Sequence, residues 1–195
     1  MITIASQRTR QIPTSEPRKV DAVKTAKQIA KRSCRILTTT TDDGPHAVAV
    51  LYVAIGTDLY VNTRRSSRKA RNIAKNPNVS LCIPIRRLPI GPPSSVQFAA
   101  HAVVLASDDP EIDSCLRSGA LKRITSHGEL ALDGNCFVRI TPTGRINTYG
   151  LGMPLLRLLT DPLHASGITD IMAFPAPFAV PKGPESTRLS ITPVA

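Results

Sequence analysis

The amino-acid sequence predicts a mainly β protein, a barrel with a few flanking α-helices. Short segments rich in Val, Ile and Thr alternate apolar and polar residues, as half-buried strands do. Turn signals built from Asp, Gly and Pro separate these segments at close intervals. Apolar residues at helical spacing occur in only a few places. Short, closely spaced strands with few helices favour a barrel with helical additions.

The first predicted element is an amphipathic helix that begins near Ser15-Glu16-Pro17. Apolar residues follow it at helical spacing, with Lys and Arg on the other faces: Val20, Val23, Ala26, Ile29 and Ala30. Cys34 to Thr41 and His46 to Ile55 are then predicted to form a hairpin. Its turn is Asp42-Asp43-Gly44-Pro45, whose residue types are typical of tight connections.

The middle of the chain predicts strands at Leu59 to Thr63, Val79 to Ile85 and Ser95 to Leu105. A short helix lies between the first two of these strands and ends at Asn76-Pro77. The segment from Arg86 to Ser94 carries three prolines and a glycine, so it predicts a stiff loop.

After the long strand, Asp108-Asp109-Pro110 predicts the start of a helix that runs to about Arg117. Leu121 to Leu132 is ambiguous between helix and loop. Cys136 to Ile140 and Arg145 to Tyr149 predict a last hairpin around the turn at residues 141–144. These signals divide the chain into a flexible basic tail (1–16), a barrel domain with its N-terminal helix (17–150) and a Pro-rich extension (151–195).

Positive charge is concentrated in two parts of the chain. The sequence has 25 Lys and Arg against 14 Asp and Glu, a formal net charge of +11. No acidic residue lies between Asp58 and Asp108, and the block from Arg8 to Arg35 contains only Glu16 and Asp21. Such a distribution indicates a surface that attracts a phosphate group, an acidic cofactor tail or nucleic acid. Only 4% of the residues are aromatic, which disfavours specific nucleic-acid binding because few stacking platforms exist.

Cysteine spacing and hydropathy predict a soluble cytoplasmic protein without a metal site. The four cysteines form no C-x-x-C pair, and three of them, Cys34, Cys82 and Cys136, are expected to be small buried apolar residues. Met1 to Arg10 lacks the apolar region of a secretory signal. The longest apolar run, Ala47 to Ile55, is too short to cross a bilayer, so no membrane partner is expected.

The most informative stretch runs from Tyr60 to Pro77, where a predicted strand leads into the N-terminus of a helix. Free backbone N–H groups and the positive end of the helix dipole make such a position attractive to an anion. Basic and hydroxyl side chains crowd around it: Arg64, Arg65, Ser67, Arg68 and Lys69. The stretch therefore predicts a grip for the phosphate of a phosphorylated cofactor.

Several motifs in this order resemble the flavin-binding split-barrel family typified by pyridoxamine 5'-phosphate oxidase. They are the hairpin with its Asp-Gly-Pro turn, the third strand, Ser-Arg-Lys, the short helix, Asn-Pro and Val-Ser-Leu. Ile140-Thr141-Pro142 is similar to the final barrel strand of that superfamily, so the likeness covers about 36–150. The resemblance implies a six-stranded split barrel, a homodimer with two shared sites, and FMN as the cofactor.

The family's pattern implies which residues hold the cofactor. Ser67, Arg68 and Lys69 would bind the flavin phosphate, with Asn62 and Thr63 ending the strand beside it. The segment from Val48 through Val50 to Tyr52 would lie along the isoalloxazine ring. Ser95 and Gln97 on the long strand would reach the site of the partner chain. The implied activity is an oxidoreductase reaction on an unidentified small organic substrate, and no catalytic residue is identified.

Alternatives stay open because the chain departs from the oxidase pattern. Where a pyridoxamine phosphate oxidase carries Arg-x-Val-Leu-Leu-Lys, this chain has Ala47-Val48-Ala49-Val50-Leu51-Tyr52. Related branches bind the deazaflavin coenzyme F-420, whose oligoglutamate tail would suit Arg86 and Arg87, and others bind haem. A non-catalytic protein that binds a cofactor or nucleic acid through its basic surface is the remaining hypothesis.

Overall fold

The computed structural model describes residues 16–32, 34–42, 44–86 and 93–170. The predicted basic tail, apart from Glu16, and the last part of the predicted extension lie outside these residues. The strands are β1 (Arg18–Lys19), β2 (Cys34–Thr41), β3 (Gly44–Leu51), β4 (Val53–Ile55), β5 (Asp58–Arg64), β6 (Asn78–Ile85), β7 (Ser94–Ala106), β8 (Asn135–Tyr149) and β9 (Ser166–Asp170). The helices are α1 (Ala22–Lys31), α2 (Arg68–Lys75), α3 (Pro110–Arg117) and α4 (Leu155–Thr160), with three short 3-10 turns.

The strands of the described chain form one sheet, which curls into a barrel that is open along one side. The sheet has the order β1-β9-β8-β7-β6-β2-β3, and β5 pairs with β8 and with the short β4. Six strands therefore enclose the core in the order β3, β2, β6, β7, β8 and β5. Strands β3 and β5 contact each other without pairing, so the barrel is split there. The predicted mainly β split barrel with few helices is confirmed.

The core lies inside the barrel, where alternate residues of each strand point. Strands β6 and β7 show the period of two most clearly, with every second residue buried. Inward-facing residues include Leu37, Leu81, Ile83, Val96, Phe98, Val138 and Ile140, each at most 3% exposed. Val96 and Phe98 therefore fill the barrel and do not form an exposed apolar flank.

The predicted last hairpin is wrong, because residues 135–149 form a single long strand. Strand β8 pairs with β7 along its whole length, and the register shifts by a bulge that leaves Gly144 and Arg145 out of the pairing with β7. Gly144 has a φ of 69°, which a residue with a side chain adopts only at a cost. Pro142 and Gly144 thus bend a continuous strand instead of reversing the chain.

The N-terminal helix begins later than predicted. Asp21 caps α1, and its side chain accepts a hydrogen bond from the backbone N–H of Lys24 at 3.0 Å. Arg18 and Lys19 instead form β1, which pairs in parallel with β9. The two strands approach so closely that a Cβ at Gly167 would stand 2.4 Å from Val20 Cγ2, so this position requires glycine.

Three further differences from the predicted elements concern short segments. The predicted strand from His46 to Ile55 is divided at Tyr52 into β3 and β4. The ambiguous stretch from Leu121 to Leu132 contains two 3-10 turns, Lys122–Ile124 and Glu129–Ala131. Cys34 is exposed and Cys82 is half-buried, whereas Cys136 is buried as expected. None of the helices that the structure describes has the length and apolar character needed to span a bilayer.

Candidate functional site

The N-terminus of α2 is built by residues that the sequence places just before it. The Ser67 Oγ accepts a hydrogen bond from the Ala70 backbone N–H at 3.3 Å, and the Thr63 hydroxyl donates to the same oxygen at 3.2 Å. The Arg71 N–H bonds the Ser67 carbonyl, at 3.1 Å. The backbone N–H groups of Arg68 and Lys69 precede that bond and have no acceptor within the helix. This end of α2 is therefore suited to an anion.

A groove of about 190 Å³ lies at the split of the barrel, between β3 and β5 and next to α2. Its walls come from both strands, from α2 and from the two 3-10 turns that follow α3. The lining residues are Ala49, Val50, Leu51, Val61, Asn62, Lys69, Ile124 and Glu129. The groove thus combines an apolar wall with one amide, one ammonium and one carboxylate, a composition typical of small-molecule sites.

Asn62 presents an unused hydrogen-bond donor in this groove. Its Nδ2 atom is buried and has no hydrogen-bond partner in the described structure. A buried donor without an acceptor costs about 1 to 3 kcal/mol, so such groups are rare unless a ligand satisfies them. The residue fits an acceptor atom of a bound cofactor.

Lys69 is the half-buried cation of the groove. Burial lowers the pKa of its ammonium, because desolvation disfavours the charged form. No Asp or Glu of the described chain pairs with it. An anion bound beside it would favour the charged form again, so the electrostatics of this position fit a phosphate.

Glu129 places a carboxylate in the lining of the same groove. Backbone hydrogen bonds from Glu129 and His127 lower its pKa, and the His127 N–H donates to Oε2 at 2.7 Å. The carboxylate is therefore ionised at neutral pH. Its negative charge would repel a phosphate, whereas the α2 N-terminus and Lys69 would attract one.

The structure brings several of the predicted site residues together and leaves others apart. Val50, Asn62 and Lys69 line the groove, and Thr63, Ser67 and Arg68 stand at the start of α2 beside it. Val48 is half-buried and packs against the barrel core. These residues share one end of the molecule because β5 leads directly into α2.

Tyr52, Ser95 and Gln97 do not line the groove within the described chain. The Tyr52 side chain is wholly buried, with the Arg35 guanidinium 3.0 Å from its ring centre and its hydroxyl bonded to the Ile29 carbonyl. Ser95 and Gln97 lie on the outer face of β7, where the Gln97 amide donates to the Ser95 hydroxyl at 3.1 Å.

Sequence reasoning missed Val61, Ile124 and Glu129 as lining residues. The apolar alternation of β5 could have indicated Val61. Ile124 and Glu129 come from 3-10 turns, which have no periodic pattern that identifies them in advance. Among the residues that the structure describes, no three His, Cys, Asp or Glu side chains converge as metal ligands.

The comparison with known families is decided by one match. A family model described as Pyridoxamine 5'-phosphate oxidase matches residues 21–145, which is more than half of the chain. The chain belongs to this family. The matched part includes β2 to β7, α2 and most of β8, and so contains the whole groove of this pyridoxamine 5'-phosphate oxidase family member. A search among curated proteins found no match.

Solved structures share the fold at low sequence identity. A haem-binding protein from Mycobacterium smegmatis aligns with a TM-score of 0.61 and 18% identity, over 80% of this chain and 60% of that one. A FAD-binding protein from Mesorhizobium loti aligns with a TM-score of 0.56 and 20% identity, over 67% and 93%. The haem storage protein HutZ from Vibrio cholerae gives 0.54 and 19%, over 63% and 89%. Identities this low establish the shared fold alone.

Proposed function

We propose that this family member is a flavin-dependent oxidoreductase that binds FMN in the groove between β3 and β5. The observation that carries the proposal is the alignment of three features at one place: the α2 N-terminus, the half-buried Lys69 and the unpaired Asn62 amide. A bound flavin supplies hydride or electron transfer, and the protein supplies binding, orientation and an apolar wall.

The phosphate of FMN would lie at the start of α2. The Arg68 and Lys69 backbone N–H groups offer unused donors, and the Lys69 ammonium adds charge from the side of the groove. Ser67 remains engaged as the helix cap, so its role there is to fix the geometry of the turn. This division of roles leaves the backbone and Lys69 as the direct phosphate ligands.

The ring of the flavin would lie along the open edge of β3. Strand β3 pairs only with β2 in the described sheet, so its other edge is free of strand partners. Val50, Val61 and Ile124 supply apolar surface, and the Asn62 amide can donate a hydrogen bond to a ring acceptor. A flat ring that carries hydrogen-bond acceptors would match a groove with apolar walls and one amide donor.

Two other cofactors of the fold are less well supported. HutZ and the Mycobacterium smegmatis protein bind haem, but no His, Cys, Met or Tyr lines this groove within the described residues. Coenzyme F-420 would need basic residues for its oligoglutamate tail, and Arg86, assigned to that tail, lines a different cavity beside α1. FMN therefore remains the first choice, with the deazaflavin as the alternative.

We propose that the protein is a homodimer whose interface is the outer face of the sheet. Along β2, β3, β6 and β7, the outward residues carry no Lys, Arg, Asp or Glu in the described chain. Ile36 and Leu51 are 42% and 58% exposed there, and Ile36 stands opposite Ala49 and Cys82. An apolar face of this kind is a typical interface. Ser95 and Gln97 share this face, and Ala49 and Leu51 connect it to the groove.

Titration of the cofactor-free protein with FMN tests the proposed site. Replacing Lys69 with Ala should weaken FMN binding by about 1.5 to 3 kcal/mol, the range for hydrogen bonds to charged groups. Lys75→Ala, at the other end of α2, is the matched control and should leave the affinity unchanged. If Lys69→Ala binds FMN, coenzyme F-420 and haem each as tightly as the wild type does, the assignment of the cofactor to this groove is refuted.

Light scattering tests the dimer. Ile36→Glu should convert the dimer to a monomer, because it places a charge in the centre of the apolar face. Val23→Glu, an equally exposed apolar position on α1 (42%), should leave the mass unchanged. A wild-type protein that is monomeric at micromolar concentration would contradict the proposed interface.

A further inference from the structure

A second cavity, of about 610 Å³, lies between α1, the end of β6 and the loop after β8. Seven Lys and Arg side chains line it, against one acidic residue, Asp21. The floor is apolar and is formed by Val20, Ile85 and Leu151. None of these residues belongs to the groove proposed for FMN.

The cations of this cavity have no counter-ions in the described protein. No ion pair involves any of the seven. The single carboxylate, Asp21, accepts a hydrogen bond from the Lys24 N–H as the cap of α1. Unlike most surface arrangements, the charges are neither paired nor interspersed with acids.

Two arginines of the cavity carry buried nitrogen atoms without partners. The Nε atoms of Arg18 and Arg32 are buried and make no hydrogen bond. The guanidinium of Arg18 donates only to the Leu151 carbonyl, at 2.9 Å, through its NH2 atom. A buried hydrogen-bond donor on a charged group destabilises the protein when it has no acceptor. These two nitrogen atoms therefore indicate a missing acceptor, independently of the count of charges.

The lysines that line the cavity lower the stability of helix α1. Lys24 and Lys27 are three positions apart, and Lys27 and Lys31 are four apart, so all three stand on one face of the helix. Like charges at these spacings destabilise a helix by a few tenths of a kcal/mol each. A bound anion would remove this repulsion.

We propose that this cavity binds a small molecule that carries several phosphate groups. A triphosphate concentrates several negative charges in a small volume, and Arg and Lys are the preferred phosphate ligands. The concave shape and the apolar residues of the lining favour a small ligand over the backbone of a nucleic acid, which follows an extended basic surface. The proposal is independent of the FMN assignment.

Isothermal titration calorimetry with sodium tripolyphosphate, ATP and adenosine tests the site. Tripolyphosphate and ATP should each bind one per chain, with an affinity that falls as salt rises, and adenosine should not bind. Tighter binding of ATP would identify a nucleotide as the source of the phosphates, and equal binding would identify a bare polyphosphate. Absence of tripolyphosphate and ATP binding at low salt would overturn the proposal.

Charge-matched variants locate the site. The triple variant Lys24→Gln, Lys27→Gln, Lys31→Gln should bind tripolyphosphate roughly threefold to a hundredfold more weakly, since three exposed ion pairs each contribute about 0.2 to 1 kcal/mol. The control Lys75→Gln, Lys122→Gln, Arg145→Gln removes the same charge elsewhere and should bind as the wild type does. Equal losses in both variants would show nonspecific attraction and would overturn the proposal.

Two further measurements separate binding from folding and from the FMN groove. The α1 triple variant should melt at the same temperature as the wild type or higher, because the lysine repulsion is gone. Lys69→Ala should leave tripolyphosphate binding unchanged. If Lys69→Ala reduces it as much as the α1 variant does, the anion binds at α2 and the proposal fails.

Discussion

Helices α1 and α2 are both short, basic and packed on the barrel, yet they offer positive charge in different ways. Each buries three residues and is capped by a side chain that accepts a hydrogen bond from a backbone N–H three positions on. The cap of α1 is the carboxylate of Asp21, whereas that of α2 is the hydroxyl of Ser67. An ionised cap neutralises the positive end of a helix, and a neutral cap does not.

This difference teaches that the capping residue decides where a basic helix can bind an anion. At α2 the end of the helix remains positive and points to the groove with Lys69. At α1 the end is neutralised, and the free charge lies along the side, on Lys24, Lys27 and Lys31. Counting basic residues in the sequence does not distinguish these two geometries.

The largest expected effect is on the free energy of unfolding, and it tests whether α1 and α2 are packed equally firmly on the barrel core. Ile29 of α1 is 2% exposed and Ile73 of α2 is 3% exposed, and both belong to the main core cluster. Ile29→Ala and Ile73→Ala should each lower the free energy of unfolding by about 2 to 5 kcal/mol, measured by urea denaturation. Val23→Ala, on the exposed side of α1, should cost about 0.5 kcal/mol or less. A loss that small at Ile29 or Ile73 would mean that the helix concerned is not docked.

An exchange of the caps addresses the comparison directly. Ser67→Asp should keep α2 capped but place a negative charge at the proposed phosphate position, and FMN should bind about tenfold or more weakly. Asp21→Ser should keep α1 capped and strengthen tripolyphosphate binding. Calorimetry measures both, and thermal melts should show little change in stability. Unchanged affinities in both variants would show that the caps do not control anion binding.

A smaller effect follows from the protonation of Lys69. Burial lowers its pKa, so in the free protein the ammonium loses its proton at a lower pH than an exposed lysine does. The charged form is disfavoured by folding, and this cost declines as pH rises past the lowered pKa and is gone above the ordinary pKa of lysine. FMN affinity should therefore fall at alkaline pH in the wild type, and Lys69→Arg should retain affinity to higher pH. Identical profiles for the two proteins would exclude Lys69 as the titrating group.

The stretch from β5 through α2 to β6 could be predicted from sequence because its signals are local. Alternation, the Ser67 cap and Asn76-Pro77 act within a few residues, and they gave the phosphate end of the candidate site as well. In contrast, β1 and β9 form only because distant parts of the chain meet. Their sequences contain no signal of that pairing.

Two features of the site and the fold could not be predicted from local sequence signals, for opposite reasons. Pro142 and Gly144 are strong turn signals, but the pairing of β8 with β5, β7 and β9 overrides them and leaves only a bulge. Ile124 and Glu129 carry no periodic signal, yet they complete the groove from short 3-10 turns. This part of the groove therefore could be identified only from the tertiary structure.

The pairing of β1 with β9 has a consequence for how the chain is made. Arg18 and Lys19 are synthesised long before their partners Gly167 and Ile168. Contacts between such distant segments form slowly, because the loop between them must close first. During synthesis β1 and the unpaired lysines and arginines near it therefore have no partner strand until β9 is made. Helix α1, which contacts β9, thus lacks part of its packing until β9 has been synthesised.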